Sequence, residues 1–181
     1  TPFNPQSPYA CAKVYSHFLV KNYREAYGIY ACNGILFNHE SPRRGANFVT
    51  AKIINGVKDI LNCKIPYITL GNIDSKRDWG HSKDYVKAMH LIINNEKPED
   101  YVVSTGVTHS VRDMTNYVFN KLDLNPETYL FQNPKFLRPE ELKYLKGDSS
   151  RLREKFNWEP EYTFETLLDE MIDFWLDNYK K

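Results

Sequence analysis

Residues 30–45 read Tyr-Ala-Cys-Asn-Gly-Ile-Leu-Phe-Asn-His-Glu-Ser-Pro-Arg-Arg-Gly, an apolar run followed by a polar one. Its first half is a short apolar run of the kind that forms a buried strand. Its second half is polar and contains a proline, which predicts a loop. Apolar residues then recur at helical spacing, and we expect Asn47 to cap this helix. They are Val49, Ile53, Ile54, Val57 and Ile60.

The same alternation extends in both directions along the chain. Ser7 and Pro8 are typical of a helix start and Gly28 of a helix end, so we predict a helix between them. Further strands are predicted at 66–70 and 101–104, further helices at 82–94, 110–122 (capped by Ser110) and 164–179, and an irregular segment at 123–147. Alternating helices and strands indicate an α/β fold with a partly parallel sheet. Because only three or four strands are recognisable, we expect part of a larger doubly wound fold.

Composition excludes several classes of protein. The 181 residues include 24 lysines and arginines against 23 aspartates and glutamates, whereas a general nucleic-acid-binding protein is markedly basic. No apolar run is long enough to span a membrane, and no signal-peptide pattern is visible. Cys11, Cys32 and Cys63 are widely spaced, so we expect buried free thiols and a cytoplasmic location. No His/Cys cluster has zinc spacing, so no metal site is predicted.

Tyr9 and Lys13 are the candidate catalytic pair. Residues four apart on a helix share one face, and an ammonium beside a phenol favours the phenolate and lowers its pKa. Such a tyrosine can act as general base toward a sugar hydroxyl while the lysine binds a ribose, as a hydride-transfer site requires. The spacing alone is weak, because Tyr117 and Lys121 repeat it. A half-buried tyrosine beside a solvated lysine is the more common outcome.

Polar and charged residues follow the predicted strand at 30–37. Ligands of α/β proteins bind at the carboxyl ends of strands, and Asn38, His39, Arg43 and Arg44 suit a phosphate, a carboxylate or a carboxamide. A solvated turn is the alternative reading of the same residues. Both readings stay open on composition alone.

Three further positions have a functional and a structural reading. Lys52 lies one turn into the second helix and can reach an anion, or it is solvated. Arg77 precedes an aspartate, which is most often a surface pair, and His81 is most often a capping or buried structural histidine. Arg138 and Glu141 can bind a diphosphate and a ribose, or they mark a helix start whose dipole favours acidic residues.

Five motifs, in this order, resemble the GDP-mannose 4,6-dehydratases, a family of the extended short-chain dehydrogenases/reductases. They are Ser-Pro-Tyr-Ala-Cys-Ala-Lys at 7–13, Asn-Gly-Ile-Leu-Phe-Asn-His-Glu-Ser-Pro-Arg-Arg-Gly at 33–45, Phe-Val-Thr-Ala-Lys-Ile at 48–53, Leu-Gly-Asn-Ile-Asp-Ser-Lys-Arg-Asp-Trp-Gly-His-Ser-Lys-Asp-Tyr-Val at 70–86 and Leu-Arg-Pro-Glu-Glu-Leu at 137–142. The motif at 33–45 is the most specific, because related dehydratases and epimerases share the Tyr/Lys pair but not that loop.

The resemblance implies the C-terminal part of an NAD(P)-binding, Rossmann-type α/β fold with a smaller substrate-binding domain. Residues 1–47 would form the rear of the Rossmann-type domain. Residues 48–181 would lie mainly in the nucleotide-sugar-binding domain, with some segments returning to the Rossmann sheet. The implied enzyme is an NADP-dependent lyase. Hydride leaves the sugar C4 of GDP-mannose for NADP, water is lost across C5 and C6, and the hydride returns to C6, giving GDP-4-keto-6-deoxymannose.

The resemblance also implies roles for individual residues. Tyr9 would be the base at the C4 hydroxyl, and Lys13 would hold the nicotinamide ribose. His39 and Arg44 would contact the cofactor. The GDP-sugar pocket would be lined by Asn38, Val49, Lys52, Arg77, Arg138 and Glu141. The complete enzyme would be a homo-oligomer, a dimer or a tetramer, that uses the loop of Arg43 and Arg44.

Two departures from the family pattern are visible. Ala51 stands where the family often has a second basic residue, which is expected to weaken phosphate or subunit contacts. The family's Gly-x-x-Gly-x-x-Gly loop and its catalytic threonine and glutamate are expected upstream of Thr1, so the isolated chain is expected to be inactive. Two alternatives stay open: a non-catalytic GDP-sugar-binding or oligomerisation module, and another NAD(P)-dependent nucleotide-sugar epimerase or reductase.

Overall fold

The computed structural model describes residues 1–137 and 142–177. The helices are α1 (Pro8–Tyr27), α2 (Val49–Leu61), α3 (Ser82–Ile93), α4 (Val111–Lys121), α5 (Pro126–Tyr129), α6 (Ser150–Phe156) and α7 (Phe164–Asp177), with a short 3-10 helix at Pro134–Phe136. The strands are β1 (Gly34–Leu36), β2 (Asn38–Glu40), β3 (Ile68–Leu70), β4 (Lys76–Arg77), β5 (Trp79–His81), β6 (Tyr101–Val103), β7 (His109–Ser110), β8 (Leu130–Gln132) and β9 (Tyr144–Leu145).

Helix α1 forms where the local signals predict it. The hydroxyl of Ser7 accepts a hydrogen bond from the Ala10 amide at 3.1 Å, and Pro8 occupies the first turn. The helix ends at Gly28, whose φ of 63° is the left-handed conformation that glycine adopts without strain. None of its residues is buried. The helix therefore lies on the surface of the described structure.

Short parallel pairings dominate the sheets. Strand β1 pairs with β6, β2 with β5 and β3 with β8, all in parallel. Strand β4 pairs with β9 in parallel and with β7 antiparallel. The prediction of an α/β fold with partly parallel strands is confirmed.

Several strands escaped the sequence analysis. Strands β2, β4 and β5 have only two or three residues, so they show no period of their own. The segment at 123–147 was predicted to be irregular, which is wrong for β8 and β9. These strands form because partners far away in the sequence supply the backbone hydrogen bonds.

The predicted cap of α2 is wrong. The helix begins at Val49, and its N-cap residue is Phe48, which has extended dihedral angles and makes no side-chain cap. The Phe48 amide instead donates to the Gly45 carbonyl at 3.1 Å, so the preceding loop shifts the helix start one residue past the expected position. Asn47 is exposed.

The predicted structural roles of His81 and Ser110 are confirmed. The Nδ1 atom of His81 accepts a hydrogen bond from the Lys83 amide at 3.0 Å and caps α3. At the start of α4, Ser110 and Asp113 form a reciprocal capping box. His81 is fully buried, and its Nε2 lies 2.7 Å from a carboxylate oxygen of Glu170 on α7.

Two hydrophobic clusters form the core. The first cluster contains Ile53, Ile54, Val57, Ile60, Ile68, Leu70, Ile73, Trp79, Val111, Met114, Val118, Phe119, Phe164, Leu167, Leu168, Met171 and Ile172. The second cluster contains Tyr85, Ala88, Ile92, Tyr101, Val103, Leu152 and Trp158. The apolar positions predicted for α2 from Ile53 to Ile60 all lie in the first cluster.

The carboxylate of Asp78 connects three loops of the fold. It is fully buried and accepts hydrogen bonds from the Thr105 amide (2.9 Å) and hydroxyl (2.7 Å). The amides of Gly106 and Gly147 donate to its other oxygen at 2.9 and 3.2 Å. A buried carboxylate is costly unless it is hydrogen-bonded, and here four donors satisfy it. Asp78 is therefore a structural residue rather than half of a surface pair with Arg77.

The cysteines are free, as expected, but their predicted burial is wrong. Cys11 and Cys63 are exposed, and Cys32 is partly buried. Cys63 lies in the turn after α2 at a φ of 54°, and Cys11 lies on α1, which buries no residue. Within residues 1–137 and 142–177, no helix is both long and apolar enough to cross a bilayer.

Candidate active site

Tyr9 and Lys13 lie together on the first turns of α1. The Lys13 ammonium is 5.5 Å from the centroid of the Tyr9 ring, which is a cation–π distance. Both side chains are exposed, Tyr9 at 72%. In the part of the chain that the structure describes, no carboxylate contacts the Tyr9 hydroxyl. The pair is thus open to a ligand.

The second Tyr-x-x-x-Lys pair has a different environment. The Tyr117 hydroxyl donates to Asp169 at 2.8 Å, and the Lys121 ammonium lies 3.1 Å from the same carboxylate. Burial and the hydrogen bond to Asp169 raise the pKa of Tyr117 to about 12. A raised pKa makes the phenolate harder to form, so this tyrosine is unsuited to act as a base near neutral pH. The contact with Asp169 distinguishes Tyr117 and Lys121 from Tyr9 and Lys13. The residue spacing alone does not reveal this contact.

Asn38 and His39 lie on β2, whose register with β5 places them opposite Trp79 and Gly80. The Nδ1 atom of His39 is 2.9 Å from the Phe37 carbonyl. A carbonyl only accepts, so Nδ1 carries the proton of the neutral ring, and Nε2 is left as an acceptor. The His39 ring also packs 5.2 Å from the ring of buried Tyr85. This side chain suits an N–H or O–H donor on a ligand.

Arg44 is held inside the loop that follows β2. Its Nε lies 3.0 Å from Oε2 of Glu40, which is an ion-pair distance. The two atoms are not aligned for a hydrogen bond. The guanidinium carbon lies 3.4 Å from the centroid of the Phe48 ring. Arg43, by contrast, is exposed. Of the two loop arginines, Arg44 is fixed by neighbours and Arg43 is free to meet solvent.

Val49 and Lys52 occupy the first turn of α2. Val49 packs against the first cluster, whereas Lys52 is exposed and its ammonium lies 5.2 Å from the centroid of the Phe136 ring. The segment carrying Phe136 crosses Gly71 so closely that a Cβ at Gly71 would lie 2.6 Å from the Phe136 carbonyl oxygen. Ala51 is fully buried, so it faces the core.

The remaining predicted residues fall partly beyond the described chain. Arg77 ends β4, where it pairs with His109 on one side and Leu145 on the other. Its Nη1 donates to the Lys76 carbonyl at 2.9 Å, and the residue is partly buried. Arg138 and Glu141 lie outside the described residues.

Three residues near these positions were missed by the sequence analysis. Glu40 is 1% exposed, and Phe48 and Phe136 lie under Arg44 and Lys52. Burial raises the pKa of Glu40 to about 7, although Arg44 and Thr50 act in the opposite direction. The sequence hinted at a Glu40–Arg44 ion pair only through their spacing of four residues. Oppositely charged residues at this spacing are common on protein surfaces, so the spacing did not single out Glu40.

Comparison with known proteins identifies the family. A family model described as GDP-mannose 4,6 dehydratase matches residues 1–171. The chain belongs to the GDP-mannose 4,6-dehydratase family. The Drosophila melanogaster GDP-mannose 4,6 dehydratase is 49% identical, covering 95% of this chain and 48% of the relative. The Homo sapiens GDP-mannose 4,6 dehydratase is 46% identical, and the match covers 95% of this chain and 51% of that relative.

Two solved structures share the fold of this chain. RMD from Pseudomonas aeruginosa, solved with NADPH, superposes with a TM-score of 0.85 at 20% identity, covering 96% of this chain and 57% of that one. The dTDP-glucose 4,6-dehydratase from Bacillus anthracis, solved with NAD, superposes with a TM-score of 0.86 at 18% identity. The match covers 99% of this chain and 55% of that one. The predicted extended short-chain dehydrogenase/reductase fold is confirmed. The chain spans about half the length of the curated family members it matches.

Proposed function

We propose that this chain is the C-terminal part of a GDP-mannose 4,6-dehydratase, a lyase that converts GDP-mannose to GDP-4-keto-6-deoxymannose with NADP. The observation that carries the proposal is the exposed Tyr9–Lys13 pair on α1, in a chain that matches this family over residues 1–171. Tyr9, Lys13, His39 and Arg44 would help to hold NADP, which would supply the hydride acceptor for the sugar C4 and the hydride donor for C6. The residues of this chain supply binding and one proton transfer.

Tyr9 is proposed as the general base at the C4 hydroxyl. Its phenol is solvent-accessible, and the Lys13 ammonium lies 5.5 Å from the centroid of its ring. Lys13 also has N–H groups for the hydroxyls of the nicotinamide ribose. His39 offers an acceptor through Nε2, which suits a carboxamide N–H or a ribose O–H. Arg44 offers N–H donors to a cofactor oxygen.

The GDP-sugar pocket is proposed to include Asn38, Val49, Lys52, Arg77, Arg138 and Glu141. Lys52 supports this placement, since its ammonium is exposed and lies over Phe136, next to the segment that leads to Arg138. An ammonium at such a position attracts a diphosphate. Ala51 faces the core, so the proposed diphosphate contact from this turn of α2 falls to Lys52.

We propose a cytoplasmic homo-oligomer, a dimer or a tetramer, in which the loop of Arg43 and Arg44 meets a neighbouring subunit. The exposed Arg43 supports this role better than Arg44, which is engaged within its own chain. Residues 1–47 are proposed to belong to the Rossmann-type domain and 48–181 mainly to the nucleotide-sugar-binding domain.

Activity is proposed to need the half of the relatives that this chain does not match. None of the eight glycines forms a Gly-x-x-Gly-x-x-Gly loop, which would hold the cofactor pyrophosphate. The proposed acid/base for water elimination is a glutamate in that other half. The isolated chain is therefore expected to be inactive.

A fusion protein tests the proposal. It joins the N-terminal half of the Drosophila melanogaster relative to residue 1 of this chain, and the product from GDP-mannose is identified by mass spectrometry and NMR. We expect a 4-keto-6-deoxy sugar, and a loss of at least about 100-fold in kcat for Tyr9→Phe because the general base is removed.

Tyr117→Phe is the matched control, since Tyr117 has the same spacing to a lysine but is bonded to Asp169. It should keep kcat within about twofold. An epimerised sugar that retains its C6 hydroxyl would contradict the dehydratase assignment, and full activity of Tyr9→Phe would contradict the role of Tyr9.

A further inference from the structure

Glu40 is a buried carboxyl group that the proposed chemistry does not use. It ends β2, directly after His39, and is 1% exposed. Its backbone carbonyl accepts a hydrogen bond from the Ser82 hydroxyl at 3.0 Å, which fixes the end of the strand. Burying a carboxyl group is costly unless a partner compensates. A buried Glu40 carboxylate therefore needs a partner nearby.

Arg44 is the charged partner of Glu40. Oε2 of Glu40 is 3.0 Å from Nε of Arg44, and the guanidinium carbon lies 3.4 Å from the centroid of the Phe48 ring. The side chain of Arg44 remains 23% exposed. Within residues 1–137 and 142–177, no hydrogen bond engages its two Nη groups. The guanidinium is thus oriented by Glu40 and Phe48 while its outer nitrogens stay available.

The ionisation of the Glu40 carboxyl is expected to change near neutral pH. Burial raises the pKa of its carboxyl to about 7. The groups that face the carboxyl are Arg44 from the loop and Thr50 from α2, and both lower the pKa by less than burial raises it. The Thr50 hydroxyl is buried beside the carboxyl without hydrogen-bonding geometry. Near neutral pH, a proton on Glu40 therefore removes the negative charge that faces Arg44.

We propose that Glu40 is a positioning residue for cofactor binding, whose ionised carboxylate orients Arg44 so that its Nη groups meet an oxygen of the cofactor. This inference rests on the proposed function, because it takes Arg44 as a cofactor ligand. Glu40 itself touches no ligand. Its effect passes through Arg44, so removing either residue should have the same consequence.

The first experiment needs no cofactor and uses the 181-residue chain. The Nε–H resonance of Arg44 is followed by NMR between pH 5.5 and 8.5, a range chosen to bracket about one and a half pH units on each side of the expected transition. We expect a titration near neutral pH in the wild type and none in Glu40→Gln, which keeps the side-chain shape. Glu154→Gln, at an exposed glutamate, is the control and should titrate as the wild type. An unchanged titration in Glu40→Gln overturns the proposal.

The second experiment measures NADPH affinity of the fusion protein by fluorescence. At pH 8, Glu40→Gln should bind about tenfold more weakly than the wild type, equivalent to about 1.4 kcal/mol. At pH 6, below the raised pKa of Glu40, the two should agree within about twofold. The double variant with Arg44→Gln should bind no more weakly than Arg44→Gln alone, because both changes remove one interaction.

The outcomes separate this inference from the function on which it rests. A loss that is equal at both pH values, or additive with Arg44→Gln, indicates a merely structural role and overturns the proposal. A wild-type fusion protein that binds no NADPH overturns the proposed function and the cofactor half of this inference. The orientation of Arg44 by Glu40 is then still decided by the NMR titration.

Discussion

Gly71 has no side chain, and this allows the backbone at Phe136 to pass close to it. The backbone of 133–137 crosses it, and the Asn133 amide donates to the Leu70 carbonyl at 2.9 Å. A Cβ would lie 2.6 Å from the Phe136 carbonyl oxygen and 3.0 Å from its carbon. Backbone atoms cannot rotate away as a flexible side chain can. The crossing places Phe136 under Lys52, so its geometry bears directly on the proposed diphosphate site.

We therefore expect Gly71→Ala to displace 133–137 and to lower stability by about 1–3 kcal/mol, the usual cost of overpacking. In the fusion protein it should also raise the KM for GDP-mannose, because Lys52 loses its support. Gly34→Ala is the control, since its Cβ would meet only a Leu36 methyl at an ordinary 3.5 Å. Denaturant unfolding and steady-state kinetics measure both effects. A tolerated Gly71→Ala would show that the crossing is loose.

Single residues also show which parts of the site a sequence can reveal. The shared face of Tyr9 and Lys13 follows from helical spacing, and the structure places them together. The difference between this pair and Tyr117–Lys121 depends on Asp169, 48 residues from Lys121. Glu40 escaped notice because its burial comes from tertiary packing, which no local pattern encodes.

At the level of elements, α1 is attached to the rest of the structure mainly by polar contacts. Arg24 donates to both oxygens of Asp100 at 2.6 and 3.0 Å, and to the Ala31 carbonyl at 3.0 Å. Asp100 also accepts from the Asn33 amide at 2.7 Å. Burial disfavours the Asp100 carboxylate, but the hydrogen bonds from Arg24 and Asn33 outweigh it and lower the pKa to about 2.

We expect Arg24→Ala to loosen the C-terminal end of α1 while the two clusters stay folded. Amide hydrogen exchange in 20–33 should accelerate at least about tenfold, because charged hydrogen bonds are worth about 1.5–3 kcal/mol. Lys21→Ala is the control, since its pair with Glu25 is exposed and 3.8 Å long. Equal exchange in the two variants would contradict the assigned attachment.

The pH dependence of this contact has a defined sign. A lowered pKa in the folded state means that the contribution of Asp100 is fully present above its ordinary pKa of 3.8. It is lost as the pH falls through about 2. The effect of Arg24→Ala on exchange should therefore be undiminished at pH 5 and above.

The elements divide into those with local signals and those without. Helices α1 and α4 were predicted because their caps lie beside them in the sequence. Strand β8 was not predicted, because its three residues are too few to show a pattern. They form a strand by pairing with β3, some 60 residues earlier in the sequence. The start of α2 was misplaced because Phe48, rather than a polar side chain, precedes it.

At the scale of the whole molecule, apolar surface is unevenly distributed. The two clusters are closed, with Leu168 fully buried in the first. Along α1, however, Tyr15, Leu19 and Tyr23 are 67%, 40% and 47% exposed at helical spacing. Exposed apolar residues contribute less to the free energy of unfolding than buried ones, because unfolding moves less of their surface into water.

Leu19→Lys should consequently change the free energy of unfolding by less than about 0.5 kcal/mol, whereas Leu168→Ala should cost about 2–5 kcal/mol by leaving a cavity. Leu19→Lys should also reduce the binding of the dye ANS to the folded chain, because it interrupts the apolar stripe of α1. Denaturant unfolding and ANS fluorescence test both statements on the 181-residue chain. A destabilisation by Leu19→Lys as large as that of Leu168→Ala would mean that α1 packs into a core, which its exposed residues contradict.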